Sequence, residues 1–343
     1  MSVETARKRE KPAWIQIVKR YQTPSIPKSV IQILNSFVPY FLIWYLMYRS
    51  LEVSYALTIL LAFTAVGFLT RIFIIQHDCG HQSFFKSRVA NDRLGAFAGV
   101  LTLTPYHHWR TMHARHHATS GDLDFRGFGD VDTLTVDEYL ARDWKGRLQY
   151  RIFRSPIMMF VISPSILFLI AHRWHFGTKP AEKKARASVW KTNAAILGAV
   201  LGLGYFIGVK EVLMVQLPIT IITSSIGVFL FYVQHQFEDT YWRWHREWDY
   251  KTAALEGASY FKLPKLLQWL TGNIGYHHVH HLSPLIPNYL LEQAHEENEI
   301  FHEVETLTLK SSLRTIFLHL WDEDANRLIS FRELRKKRAR AAA

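Results

Sequence analysis

Residues 55–81 read YALTILLAFTAVGFLTRIFIIQHDCGH, a long apolar run that ends in two histidines. The apolar part, residues 55–76, contains one charged residue, Arg71, placed near its end where a long side chain can reach the membrane surface. An α-helix of this length can cross a hydrocarbon core about 30 Å thick, because each residue advances the helix by about 1.5 Å. The stretch therefore predicts a transmembrane helix with histidine-bearing residues directly after it.

Short links join this run and the other long apolar runs into pairs. Residues 49–54 separate it from the run before it, and Lys210-Glu211 alone separates two later runs. Because short links join neighbouring antiparallel helices, each pair predicts a helical hairpin. We therefore predict four transmembrane helices in two hairpins, over residues 30–48, 55–76, 192–209 and 212–234.

Two further apolar stretches are weaker candidates for membrane spans. Residues 94–104 are too few to cross a bilayer. Residues 156–171 are interrupted by Ser163-Pro164-Ser165 and carry lysines or arginines on both sides, whereas a true span has them mainly on one side. We predict that both stretches lie at the membrane interface.

The distribution of positive charge sets the predicted orientation. With four spans, both termini and all large polar segments lie on the same side, and their lysines and arginines favour the cytoplasmic side. The chain has no apolar stretch before about residue 29, so we expect no cleavable signal peptide. The predicted fold is an all-α, polytopic membrane protein with a basic N-terminal segment (1–28), a membrane domain (29–335) and a basic tail (336–343).

Composition narrows the class of protein. The 343 residues include 41 lysines and arginines against 29 aspartates and glutamates, for a net charge of +12. No nucleic-acid-binding motif accompanies this charge, so we attribute it to a cytoplasmic membrane face and expect no nucleic-acid partner. The single cysteine, Cys79, excludes an intramolecular disulfide and any cysteine-based metal cage.

Nine of the eighteen histidines lie in three short motifs. H-x-x-x-H occurs once and H-x-x-H-H occurs twice, and one more histidine ends the fourth apolar run. Residues spaced by three or four lie on one face of a helix, so each motif can direct its imidazoles to one point. Without thiolates, about nine imidazoles suit two transition-metal ions. The candidate ligands are His77, His81, His113, His116, His117, His235, His277, His280 and His281.

Other polar residues near the motifs have different expected roles. Asp78 lies inside the first motif and is better suited to hold an imidazole N–H than to bind a metal. His278 is an extra histidine inside the third motif, and its role is open. His108 lies near the second motif and is a candidate for an outer position. We interpret the remaining histidines as ordinary core or surface residues: His107, His172, His175, His245, His295, His302 and His319.

The motifs H-D-C-G-H, H-A-R-H-H and H-H-V-H-H, in this order between paired spans, resemble those of the membrane fatty acid desaturase family. Residues 77–93, 119–139 and 269–291 are most similar to bacterial acyl-lipid desaturases of the delta-5 kind. The resemblance covers roughly residues 30–335. It implies that the nine histidines above hold a diiron centre in a cytoplasmic cap, with His235 as the ligand outside the three motifs. It also implies an integral protein of the bacterial cytoplasmic membrane.

The resemblance implies O₂-dependent removal of two hydrogens from a saturated acyl chain of membrane phospholipids, giving a cis double bond. Two iron ions and O₂ as co-substrate suit this chemistry, because an unactivated C–H bond needs a strong oxidant and histidines resist oxidation better than thiolates. H-x-x-x-H in the first motif favours a lipid-linked chain over an acyl-CoA. Which bond is oxidised depends on the depth and bend of a substrate tunnel.

The sequence contains no flavin, nicotinamide or cytochrome b5 motif. The electrons must then come from a separate donor, and ferredoxin or flavodoxin is expected because both are acidic and the chain is basic. The alternative function is a diiron membrane hydroxylase of alkyl or carotenoid substrates, because the same histidine motifs serve that reaction. A histidine-rich metal transporter is less consistent, since transporters place their ligands at mid-membrane depth.

Overall fold

A computed structural model describes residues 12–127 and 131–341 of the chain. These residues are mostly helical, as predicted. Residues 1–11 of the predicted basic segment and residues 342–343 of the predicted tail lie outside the described part. The α-helices are α1 (Ala13–Lys19), α2 (Ile26–Ser50), α3 (Tyr55–His81), α4 (Arg88–Leu101), α5 (Tyr106–Thr119), α6 (Val136–Ala141), α7 (Trp144–Phe153), α8 (Ser163–Leu169), α9 (Lys183–Ile207), α10 (Val209–His235), α11 (Tyr250–Glu256), α12 (Lys265–Leu270), α13 (His277–Leu282), α14 (Leu291–Glu296), α15 (Leu309–Thr315) and α16 (Phe331–Ala341).

Three of the described helices, α2, α3 and α10, are long and apolar enough to cross a membrane. A bent pair is a fourth candidate, in which α7 and Met158–Arg173 meet at 56°. The 25-residue α9 is more polar, because its first turns carry Lys183, Lys184 and Lys191. Its apolar half overlaps the predicted span 192–209. These helices fit a membrane protein, and the arrangement of four spans stays a prediction.

The helices predicted to form hairpins pack against each other in pairs. α2 lies along α3, and α9 lies along α10. Between α9 and α10 the chain turns at Gly208, whose φ of 92° strongly favours glycine. The prediction that Lys210-Glu211 forms this link is wrong, since both residues belong to the first turn of α10. A glutamate at that position is favourable, because the N-terminal end of a helix attracts negative charge.

The two weaker apolar stretches both contain helix. Residues 94–101 belong to α4, which begins at Arg88 and packs against α3. Residues 156–171 contain a π-helical turn, Met158–Ile162, followed directly by α8, and this segment packs against α10. Their predicted position at the membrane interface stays a prediction.

Within residues 12–127 and 131–341, five short strands depart from the all-α prediction. One sheet has the order β1-β4-β5, with β1 parallel to β4 and β4 antiparallel to β5, and the other pairs β2 with β3 in parallel. Strands of two or three residues show too little alternation of polar and apolar residues to be recognised in a sequence. They are β1 (Leu134–Thr135), β2 (Tyr260–Lys262), β3 (Thr306–Thr308), β4 (Leu320–Asp322) and β5 (Arg327–Ile329).

Helix α3 is the central element of the apolar core. In its most apolar stretch 56% of the residues are buried, against 28% for α2 and for α10. It packs against α2, α4, α5 and α10, and residues such as Leu69 and Ile72 are almost fully enclosed. Because α3 ends at His81 and the neighbouring α10 ends at His235, the core brings the ends of two apolar helices to one place.

Candidate metal centre

All nine histidines predicted as ligands come together in two adjacent groups. Within each group the nearest ring nitrogens of all members lie within 4.8 Å of one another. We call them the five-histidine group and the four-histidine group. The first consists of His77, His81, His113, His117 and His280. The second consists of His116, His235, His277 and His281.

Each H-x-x-H-H motif divides its histidines between the two groups. On α5, His113 and His117 are one helical turn apart and join the five-histidine group, while His116 joins the other. On α13 the division is reversed, since the pair His277 and His281 joins the four-histidine group and His280 joins the five-histidine group. Two helices thus form walls shared by both groups.

The third wall differs between the groups. The last turns of α3 supply His77 and His81 to the five-histidine group, and the last residue of α10 supplies His235 to the four-histidine group. The sequence predicted that the first motif follows the span, whereas α3 continues without a break through His81. The groups adjoin each other closely, because the rings of His117 and His281 stack with centroids 4.3 Å apart.

The distances between ring nitrogens test whether these groups suit a metal ion. Four Nε2–Nε2 distances lie between 2.9 and 3.3 Å. Two imidazole nitrogens that each bind one ion at about 2.1 Å lie roughly 3.0–3.4 Å apart for bond angles between the octahedral and tetrahedral values. The residues therefore fit a metal in each group. The pairs are His235–His277, His117–His280, His113–His117 and His116–His281.

Burial keeps five of the imidazoles on α5 and α13 in the neutral form that binds metals. Desolvation by burial, and then the neighbouring histidines, hold the pKa of His113 and His117 on α5 well below its ordinary value. The same causes lower the pKa of His277, His280 and His281 on α13. Since metal binding requires neutral imidazole, these five histidines can bind a metal at neutral pH without first losing protons.

Hydrogen bonds fix the orientation of one imidazole in each group. His77 Nδ1 lies 3.0 Å from Asp78 Oδ1, and a carboxylate there can only accept, so Nδ1 carries the proton and Nε2 is free to bind. His235 Nδ1 donates to the Gly257 carbonyl oxygen at 3.0 Å, with the same result. The predicted role of Asp78 as an acceptor is therefore confirmed.

Asp78 is itself held by a residue that the sequence did not point to. Its Oδ2 accepts from the backbone N of Asn288 at 2.7 Å and from Asn288 Nδ2 at 2.8 Å. Gln32 Nε2 on α2 donates in turn to Asn288 Oδ1 at 3.0 Å. Asn288 follows the third motif by only seven residues, and that proximity was the one available signal. Gly257, whose carbonyl oxygen accepts from His235, has no side chain, so the sequence gave no signal for its role.

Trp109 is a second neighbour that the sequence analysis missed. Its ring stacks on His113 with centroids 4.5 Å apart and lies 5.6 Å from His77. Gly80 makes room for it, because a Cβ atom at that position would lie 2.9 Å from Trp109 Cζ3. The glycine inside the first motif therefore allows α3 and α5 to approach.

The remaining nine histidines, all within the described residues, lie outside both groups. His278 is fully buried but turns away from the centre, and its Nε2 lies 3.0 Å from His295 Nδ1. His278 is therefore a packing residue between α13 and α14.

His108 also lies outside both groups. Its Nε2 contacts the Phe176 carbonyl oxygen at 2.8 Å, so His108 supports the loop before α9 and contacts neither histidine group.

These features define a class: a helical membrane protein with two adjacent, largely buried groups of histidines that are consistent with an iron site. A model of the family described as "Fatty acid desaturase" matches residues 52–306. A protein of Bacillus subtilis named "Fatty acid desaturase" is 50% identical over 335 residues, which cover 98% of this chain and 94% of that protein. The chain belongs to the fatty acid desaturase family, and it is an oxidoreductase.

More distant relatives carry more specific names. The "sn-1 oleoyl-lipid 12-desaturase" of Synechocystis sp. is 29% identical, over 66% of this chain and 64% of that protein. The "sn-1 acyl-lipid omega-3 desaturase (ferredoxin)" of Nostoc sp. is 27% identical, over 70% of this chain and 68% of that protein. These names place double bonds at different positions, and the delta-5 resemblance stays a prediction.

Proposed function

We propose that this protein is an acyl-lipid desaturase that introduces a cis double bond into a saturated acyl chain of membrane phospholipids. One turnover takes two hydrogen atoms from adjacent methylenes, and two electrons and two protons from outside the protein. These two hydrogen atoms, two electrons and two protons together reduce one O₂ to two molecules of water. The observation that carries the proposal is the convergence of nine histidines, seven of them buried, into two groups, in a family of fatty acid desaturases.

In this proposal the five-histidine group holds one iron ion and the four-histidine group holds the other. Iron bound there would supply the oxidising power that an unactivated C–H bond requires. The chain's own residues hold the imidazoles in place: Asp78 and Asn288 orient His77, and the Gly257 carbonyl orients His235. Seven of the nine histidines are buried, which limits the access of water to the site.

The lipid-linked substrate is inferred from the setting of the site. The apolar helices α3 and α10 end directly in the two histidine groups, so an acyl chain lying between membrane helices has a short path to them. Relatives whose names contain "oleoyl-lipid" and "acyl-lipid" support this choice over a soluble carrier. We place the protein in the bacterial cytoplasmic membrane with the histidine groups on the cytoplasmic side.

The electrons are proposed to come from a separate donor, ferredoxin or flavodoxin. The net charge of +12 favours an acidic partner, and the name of the Nostoc relative includes ferredoxin. The hydroxylase alternative gains no support, because the family model and the relatives described above are named as desaturases.

The decisive experiment is a fatty-acid profile of a bacterial host that expresses this chain, read by gas chromatography–mass spectrometry with location of the double bond. We expect a new monounsaturated acid in the phospholipids. The variant His116→Ala should lack this product. His302→Ala is its matched control, since His302 is an exposed histidine outside both groups, and this control should give the same product as the unaltered chain. Hydroxylated products in place of the unsaturated acid would contradict the proposal and support the alternative.

A further inference from the structure

Helix α7 has an apolar stripe that the rest of the described protein does not cover. Trp144, Leu148 and Ile152 are 66%, 48% and 49% exposed. Because they are spaced by four residues, they follow one face of the helix. A stripe of large apolar side chains open to the surroundings indicates a partner that is itself apolar.

The opposite face of α7 fixes the direction of this stripe. Tyr150 is buried there, and its hydroxyl donates to the His319 carbonyl oxygen at 2.6 Å and accepts from the Leu134 backbone N at 3.1 Å. Tyr139 and Phe331 complete this contact with the small sheet β1-β4-β5 and with α16. The stripe of Trp144, Leu148 and Ile152 therefore points away from the protein body.

Positive charges border the stripe. At 100° per residue, Lys145 lies on one side of it and Arg147 lies on the other. The Arg151 guanidinium, by contrast, is turned to the protein body, where it donates to the Tyr139 hydroxyl at 2.7 Å and lies over the Phe331 ring. The ten residues of α7 contain no acidic residue. An exposed apolar face with lysines and arginines along both edges is typical of helices that lie in the plane of a membrane surface.

The apolar surface of α7 continues into a segment that suits the membrane. After the 56° bend comes Met158–Arg173, and exposed apolar side chains continue through Ile157, Val161 and Ile166. The chain thus passes from an amphipathic helix with cationic edges to a mainly apolar surface, interrupted by Ser163-Pro164-Ser165, within a few residues. This order of features matches the order of a bilayer, in which charged headgroups lie above the acyl chains.

We propose that α7 lies in the headgroup layer of the membrane, with its stripe among the upper acyl-chain carbons and its cations on the phosphates of anionic lipids. The partner is an anionic lipid surface, such as phosphatidylglycerol. The inference does not depend on the reaction under Proposed function, since it rests on the stripe, its cationic borders and their continuity with an apolar segment.

The position of α7 is linked to the metal centre through one buried residue. Arg154 follows α7 directly and is fully buried. It donates to Gln236 Oε1 at 3.3 Å, next to His235, and to the Leu318 carbonyl oxygen at 2.8 Å. Seating α7 on the membrane therefore holds the end of α10 and the C-terminal sheet at a defined depth.

The test uses the full chain in lipid vesicles, with a nitroxide spin label on Leu148→Cys and, as the matched control, on Gln149→Cys. Gln149 is an exposed neighbour on the polar side of the stripe, and the native Cys79 is buried. We expect the label at 148 to be accessible to O₂, which concentrates in lipid, and shielded from a water-soluble nickel chelate. The label at 149 should show the reverse.

A second comparison tests the cations. The label at position 148 also gives the ratio of membrane-seated α7, in which the label is shielded from nickel, to released α7, in which it is not. In vesicles containing phosphatidylglycerol, replacing Lys145 and Arg147 by glutamine should lower this ratio about fivefold for each cation removed. The same change at Lys183 and Lys191 of α9 should leave it unaltered. Equal exposure of both labels to nickel would overturn the proposal, as would protection of position 148 only after addition of an acidic redox protein.

Discussion

The five-histidine group and the four-histidine group share two walls, α5 and α13, and differ in the third. The last turns of α3 give two ligands to one group, whereas the end of α10 gives a single ligand to the other. Both third walls are the ends of apolar helices, so the membrane core fixes them equally well. The comparison teaches that the two groups differ in ligand number rather than in support. The four-histidine group should therefore tolerate the loss of a ligand less well.

The largest effect is expected for His116→Ala, which reduces the four-histidine group to three. The iron content should fall from two ions per chain to about one, because the five-histidine group is left intact. Desaturation should be abolished. Iron analysis of the purified variant and the fatty-acid profile of its host test this together. Full activity would rule out the diiron assignment.

When a chelator removes the iron, the two groups should lose their ions at different rates. The group with fewer ligands should release its ion first, giving a fast and a slow phase of roughly equal amplitude, and the apo-protein should unfold at a lower temperature because bound metal stabilises the folded state. His116→Ala should lack the fast phase. A single phase in the unaltered protein would show that ligand number does not distinguish the groups.

Asp78→Asn should weaken the five-histidine group alone, by about 10–100-fold in iron affinity, because an amide cannot accept from both His77 and Asn288 as the carboxylate does. Iron binding measured against a competing chelator gives the two affinities. Asp137→Asn is the matched control, since Asp137 is exposed and belongs to neither histidine group. Equal weakening of both groups would mean that Asp78 supports the whole centre.

Gly80→Ala should have the smallest effect. Its Cβ atom would meet Trp109 at 2.9 Å, and the displaced ring stacks on His113. We expect a loss of about 1–3 kcal/mol in stability from overpacking, with two iron ions still bound. Thermal unfolding measures the loss of stability, and iron analysis counts the bound ions. Loss of an ion would show that Trp109 positions a ligand.

The sequence predicted the residues of the centre better than it predicted their arrangement. Spacings of three and four identified the histidines that converge, because helical periodicity is a local property. The reversed division of the two H-x-x-H-H motifs was not foreseen, since it depends on how α5 and α13 face each other across the centre. Asn288 and Gly257 were missed for the same reason, because their contacts with Asp78 and His235 are set by packing.

The fold was predictable to a similar degree. Long apolar runs predicted α2, α3 and α10, whereas the sequence analysis did not recognise the short strands or the turn at Gly208. Lys210 and Glu211 looked like a loop because they are charged, but charged residues are common in the first turn of a helix. The polar beginning of α9 likewise lay outside any span that hydropathy alone could mark.

The shared wall α13 has a consequence for how the protein is made. Its histidines enter both groups, yet they follow His235 by more than forty residues along the chain. During synthesis, α2, α3, α9 and α10 all leave the ribosome while neither group is complete. Iron can therefore be fully enclosed only after the membrane helices have been made, and the newborn chain carries its first six ligands through that interval open on one side.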